Sequence, residues 1–183
     1  MKTIAHISDL HFGKELPQVA DALAVDLRAQ TPTLVVASGD FTQRARRAQF
    51  AAARDYLKRL PQPQLLVPGN HDVPLYDVMR RFLRPLHRYR HYLAADCNPT
   101  FVDDEILVLG LNTARSFTWK NGRISVAQIA ALEGRLQHGG LRVKIVVTHH
   151  PFLPPPGDVG IDLVGRAERA MEVIRNRIDQ FGV

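Results

Sequence analysis

The chain of 183 residues holds one cysteine, Cys97. A lone thiol cannot build an intrachain disulfide framework, and it excludes a zinc knot made of cysteines. It fits a reducing compartment, and a cytoplasmic location is the expectation. No run of about 18 apolar residues is present, so no segment is expected to span a membrane, and no membrane partner is expected. The opening MKTIAHISDLHFG is interrupted by His6 and Asp9 and lacks a small-residue cleavage site, which argues against a signal peptide. Internal repeats and low-complexity tracts are missing too. Acidic residues are scarce in the middle of the chain. Between Arg44 and Arg90 eleven Lys or Arg stand against three Asp, a net +8, which leaves −2 for the rest of a chain whose total is +6.

What is present is an ordinary globular mixture, 45% apolar and 23% charged, which excludes disorder. The length suits a single domain with a real core. The basic middle can attract phosphate-bearing ligands or nucleic acid. Solvated helix faces are the expected reading of its Arg44–Arg59 part. The stretch RRFLRPLHRYRHY, residues 80–92, interleaves aromatics with arginine and histidine.

Hydrophobic periodicity predicts alternating strands and helices. Strands are expected over Lys2–Ser8, Thr33–Ser38, Gln64–Val67 and Val143–Thr148, with a pair at Thr100–Val102 and Ile106–Leu111. Helices are expected over Pro17–Gln30 (inner face Val19, Leu23, Leu27), Arg47–Leu60, Leu75–Ala95 with a break near Pro85, and Leu163–Phe181. A further helix starts at Ser125, where Gln128 completes a capping-box pattern, and stops at Gly139-Gly140. Alternation of this kind means an α/β fold with a largely central sheet. Ligands then gather beyond the carboxyl ends of the strands.

Four strand ends deliver the same kinds of side chain: Asp9-Leu10-His11, Gly39-Asp40, Gly69-Asn70-His71-Asp72 and His149-His150-Pro151. Each alone has a bland explanation, such as turn chemistry or a chance tripeptide. Four coincidences in order are a functional pattern. Carboxylates, an amide and imidazoles without thiolates suit a borderline divalent metal such as Mn²⁺, Fe or Zn²⁺.

The combination resembles the calcineurin-like metallophosphoesterase superfamily. Within it, the start HISDLHFG looks most like bacterial cyclic-nucleotide phosphodiesterase-type members. The resemblance implies one domain over 1–183, an α/β/β/α four-layer sandwich and a site for two divalent metal ions between the sheets. Asp9, His11 and Asp40 would hold the first metal. Asp40, Asn70 and His149 would hold the second, with Asp40 bridging. His71 would be the catalytic imidazole and Asp72 the partner that orients it. Metal-bound hydroxide would attack a phosphodiester or phosphomonoester in line, without a covalent intermediate. His150 would support the ligands or face substrate, and Asn112 and Arg115, which follow an apolar strand, are candidate substrate contacts. Loops 41–47, 115–123 and 152–160 would set specificity. Within the same superfamily a nuclease is the alternative, motivated by the basic middle; a non-enzymatic binding module is another.

One part of the family pattern is missing. The resemblance also implies a Gly-His-x-His motif after the last helix, and no histidine follows His150. The expectation is therefore a fold incomplete at its C-terminal strand, with three protein ligands per metal, weak metal binding and poor turnover.

Overall fold

In a computed structural model of the chain, residues 2–118, 120–154, 156–157 and 163–178 are described. Two three-stranded sheets lie face to face, each with helices on its outer side. β1 (Ile4–Ile7), β2 (Leu34–Ser38) and β3 (Gln64–Val67) pair in parallel in that order. β4 (Thr100–Val102) runs antiparallel to β5 (Ile106–Gly110), which is parallel to β6 (Val143–Val147). The helices are α1 (Pro17–Gln30), α2 (Arg47–Leu57), α3 (Val78–Leu83), α4 (His87–Tyr92), α5 (Val126–Gln137) and α6 (Ala167–Ile178).

The two-residue period of a strand sorts the apolar side chains into layers. Leu34, Val36, Leu65 and Val67 of the first sheet meet Ile106, Val108 and Val147 of the second in an inter-sheet core. The alternate residues Val35, Ala37 and Leu66 point outward into a core shared with α1, α2 and α4. Leu107 and Leu109 point the other way, toward Leu132 and Leu136 of α5 and Val173 of α6. This is the four-layer sandwich. It corrects the single central sheet expected from alternation, because strands that are apolar on both faces fit either arrangement.

Local chemistry explains most element ends. Pro17 opens α1 where a missing N–H costs nothing. Ser125 Oγ accepts the Gln128 amide at 3.1 Å while Gln128 Oε1 accepts the Ser125 amide at 3.0 Å, the expected capping box. The helix expected over 75–95 is two short ones separated around Pro85, which cannot donate to the turn before it. The inner face of α1 is Ala24 and Leu27, flanked by Ala20 and Leu23, while Val19 is exposed. Small residues let this helix lie close enough for Tyr56 to donate its hydroxyl to the Ala20 carbonyl. Among the described residues no helix is long and apolar enough to cross a membrane. Trp119 and parts of the 152–160 loop, both within the expected specificity loops, lie outside the described residues, as does the chain beyond 178.

Candidate metal centre

Three loops at the carboxyl ends of β1, β2 and β3 converge with the turn after β6. The first two continue the β1–β2 pairing past the strands. Asp9 donates its amide to the Gly39 carbonyl at 3.2 Å, His11 to Asp40 at 2.9 Å and Phe12 to Phe41 at 2.9 Å. Within this ladder Asp9, His11 and Asp40 all take positive φ, 57°, 45° and 52°. Non-glycine residues enter that region at a cost, and they stay there only where the surroundings hold them. Here the cross-loop bonds hold them, and the left-handed turns gather the side chains in one place.

Asp40 is the centre of the cluster, its side chain 5% exposed. Oδ1 lies 3.4 Å from His149 Nε2 and accepts the His71 amide at 2.8 Å. Oδ2 lies 3.8 Å from His11 Nε2 and 4.0 Å from His71 Nε2. Asp9 Oδ1 stands 3.5 Å from His11 Nε2, and Asn70 Oδ1 3.2 Å from His149 Nε2. Two sets of donor atoms, His11–Asp40–His71 and Asp9–Asp40–His149, each fall within 4.8 Å of one another. Asp40 belongs to both. The six side chains expected from the strand-end motifs are thus brought together, though proximity divides them differently from the implied sets Asp9–His11–Asp40 and Asp40–Asn70–His149.

The histidines are presented as ligands. His149 Nδ1 lies 2.8 Å from the Ser38 carbonyl and His71 Nδ1 2.9 Å from the Gln43 carbonyl. Each ring therefore donates Nδ1–H to a carbonyl and turns Nε2 inward, where it can meet a metal ion or carry a proton. His11 Nδ1 is buried with no hydrogen-bond partner, a polar atom that the fold leaves for something else. Burial opposes charge on His149, but the Asp40 carboxylate outweighs it and lifts the imidazole to about 9. Burial likewise works against the Asp40 charge, and His149 and the His71 amide pull its carboxyl below the usual value. Asp40 thus holds a cation on His149, a place that a metal ion could take by displacing the Nε2 proton. The residues present fit a pair of divalent metal ions.

Two glycines are required by this packing. A Cβ on Gly39, which has φ +82°, would come 2.5 Å from His149 Nδ1, and one on Gly69 would come 2.1 Å from Asp40 Oδ1 and 2.3 Å from the Asp40 amide nitrogen.

Several expected roles change. Asp72 is fully buried and does not orient the His71 ring. Its carboxylate accepts from the amides of Phe41 (3.3 Å), Thr42 (3.0 Å) and Gly69 (3.0 Å), and from the Thr42 hydroxyl (3.1 Å). It pins the β2 loop to the β3 loop. Burial, then the Asp40 charge, push its carboxyl up to about 7 against those hydrogen bonds. The ring of His71 is oriented instead by the Gln43 carbonyl, which accepts its Nδ1 proton, and the Arg44 guanidinium lies beside the same nitrogen at 3.2 Å. His150 is 5% exposed and lies behind His149, edge to face at 4.9 Å, with Nδ1 2.6 Å from the Thr113 hydroxyl. It cannot face substrate. Asn112 Oδ1 caps a turn by accepting the Ala114 amide at 2.9 Å. Arg115 bonds the Ala114 carbonyl and Gln128 at the start of α5. Both serve the loop that carries them, and neither is bonded to the cluster.

Sequence reasoning missed Ser38 and Thr113, and it held Gln43 and Arg44 only as members of the 41–47 loop. Ser38 and Gln43 act through main-chain carbonyls, which no side chain announces. Beside the cluster a cavity of about 210 Å³ is lined by Gln43, Arg44, Asn70, His71, Val73, Leu75, Arg81 and Lys120. Arg44 and Lys120 bring positive charge to it, while the Arg81 guanidinium is held by backbone carbonyls. Of the basic middle, Arg54 and Lys58 pair with Asp55, and Arg59 with Asp21, which are solvated helix faces.

Comparison with known proteins agrees with this geometry. The profile of the family described as calcineurin-like phosphoesterase matches residues 2–179. A protein of Enterobacter lignolyticus named as the glycerophosphodiester phosphodiesterase GpdQ is 30% identical over 162 residues, covering 82% of this chain and 57% of its own length. A Synechococcus protein named "Probable cyclic nucleotide phosphodiesterase" is 34% identical over 82 residues, 39% of this chain and 32% of its own. The chain thus spans little more than half of the first relative and a third of the second. A solved dimetal phosphatase from Danio rerio superposes with a TM-score of 0.70 at 16% identity, over 96% of this chain and 77% of that one, and shares the fold.

Proposed function

Because the chain belongs to the calcineurin-like phosphoesterase family, we propose that it is a hydrolase of phosphoesters, with phosphodiesters as its substrate class, working at a centre of two divalent metal ions. The observation that carries this reading is the position of Asp40 in both donor sets. The relatives named as phosphodiesterases support the diester over the monoester, and the name of the second is the reason to try a cyclic nucleotide.

Asp9, His11, Asp40, Asn70 and His149 would hold the metals. Bound divalent ions supply positive charge to a phosphate and lower the pKa of water. Neutral Asn70 adds a donor without adding negative charge, which keeps the centre attractive to an anion. His71 faces the centre through Nε2 while the Gln43 carbonyl holds its other nitrogen. A ring fixed in this way is placed to receive a proton or to give one to a leaving oxygen. Arg44, beside that ring, adds a cation on the side of the cavity. Backbone strain at Asp9, His11 and Asp40 is the cost of this placement.

The test is hydrolysis of bis(p-nitrophenyl) phosphate, p-nitrophenyl phosphate, a cyclic nucleotide and an oligonucleotide, after loading with Mn²⁺, Fe²⁺ or Zn²⁺. Metal-dependent diester hydrolysis that Asp40→Asn abolishes is expected. Turnover unaffected by that substitution would overturn the reading.

A further inference from the structure

The short helix α3 is built inside out. Its buried side chain is an arginine, Arg81. The guanidinium donates to the carbonyls of Pro74 (3.0 Å), Ser116 (2.7 Å) and Thr118 (3.0 Å), and the Ser116 hydroxyl returns a bond to the Arg81 carbonyl at 2.6 Å. The apolar residues face out. Met79 and Leu83 are each 70% exposed, Val78 59% and Phe82 47%. Val78–Phe82 and Met79–Leu83 are i, i+4 pairs, so they form one surface. Tyr76 before the helix and Phe117 in the loop gripped by Arg81 are exposed as well, and the Phe82 and Phe117 rings meet at 5.1 Å. Isolated apolar side chains on a surface mean little. Six of them on and beside one short helix, held out by a polar anchor, mark an interaction site.

Cations surround the set. Arg80 and Arg84 line the same groove as Met79 and Leu83. Arg88, on α4 beyond Pro85, is partly buried and donates to the Ala45 carbonyl at 2.7 Å. Burial first, and then the neighbouring charges of Arg80 and Arg47, hold its guanidinium below the ordinary value. Asp77, paired with Arg80 at 2.8 Å, is the acid placed among them.

We propose that the α3 face is a peripheral docking surface for an anionic phospholipid bilayer, with its apolar side chains in the interface and Arg80 and Arg84 against lipid phosphates. The pairing of apolar and cationic groups selects this occupant. A nucleic acid would satisfy the arginines and leave six apolar side chains in water. A second copy across a two-fold axis would set one group of arginines against the other. Docking of this kind needs no spanning helix, and its test is also a test of the expectation that the chain has no membrane partner. It is independent of the chemistry proposed for the metal centre.

The test is flotation of the full chain with vesicles of phosphatidylcholine alone or mixed with phosphatidylglycerol, at low and high salt. Binding to the anionic vesicles, weakened by salt and absent from phosphatidylcholine alone, is expected. M79S/L83S should weaken it by ~10-fold or more through lost apolar insertion, and Arg84→Gln by about fivefold. No binding by the unmodified chain would overturn the proposal, whatever the variants do. So would vesicle binding unchanged in M79S/L83S, a dimer dissolved by M79S/L83S without vesicle binding, or oligonucleotide binding without vesicle binding.

Discussion

Replacing Asp72 by alanine separates two accounts of how the centre is held. In the structure its carboxylate is the acceptor for three backbone amides, those of Phe41, Thr42 and Gly69, in a fully buried position. Each buried donor left without a partner costs about 1–3 kcal/mol. Water entering the space vacated by the carboxylate, and relief from burying a carboxyl pushed up to about 7, move the total toward the low end. The expected loss is about 3 kcal/mol. For a chain of this size that lowers Tm by about 6–12 °C. The loops being released carry Asp40, Asn70 and His71, so metal affinity should fall with stability. Thermal unfolding followed by circular dichroism, with and without Mn²⁺, measures both. A Tm within about 2 °C of the parent, accompanied by a shifted pH–rate profile, would refute the reasoning. It would return Asp72 to the role expected from its place beside His71.

Other outcomes follow from the same contacts. Gly69→Ala pushes a Cβ onto the Asp40 carboxylate and amide, and should cost about 2–3 kcal/mol in urea unfolding while weakening metal binding. Arg81→Met removes the donor to three carbonyls, so hydrogen exchange should accelerate at residues 75–76 and 116–118 and stay unchanged in β5. Arg115→Met should lower Tm by loosening the start of α5 yet leave KM for bis(p-nitrophenyl) phosphate unaltered. A rise in KM would restore Arg115 as a substrate contact.

Much of the centre was legible because metal chemistry needs particular side chains at strand ends. Asp9, His11, Asp40, Asn70, His71 and His149 stand out as residue types, and the alternation of strands and helices puts them on one edge. The two-sheet partition was less legible. Val35 and Val36 are both apolar, so β2 looks the same whether helices cover both faces or a second sheet covers one. The direction of Asp72 was hidden by the 3₁₀ turn at Asn70–Asp72. Three residues per turn rotate successive side chains by about 120°, so the neighbour of His71 points away from it. The exposed apolar face of α3 was masked by an ordinary hydrophobic pattern. Nothing in RRFL declares that the arginine is the buried residue.

Equilibrium Mn²⁺ binding to the parent chain and to Asp40→Asn tests the central claim most directly. Two ions per chain are predicted for the parent, and the loss of both in the variant, because one carboxylate serves both donor sets. Two ions retained by Asp40→Asn, or only one of them lost, would contradict a centre organised around Asp40.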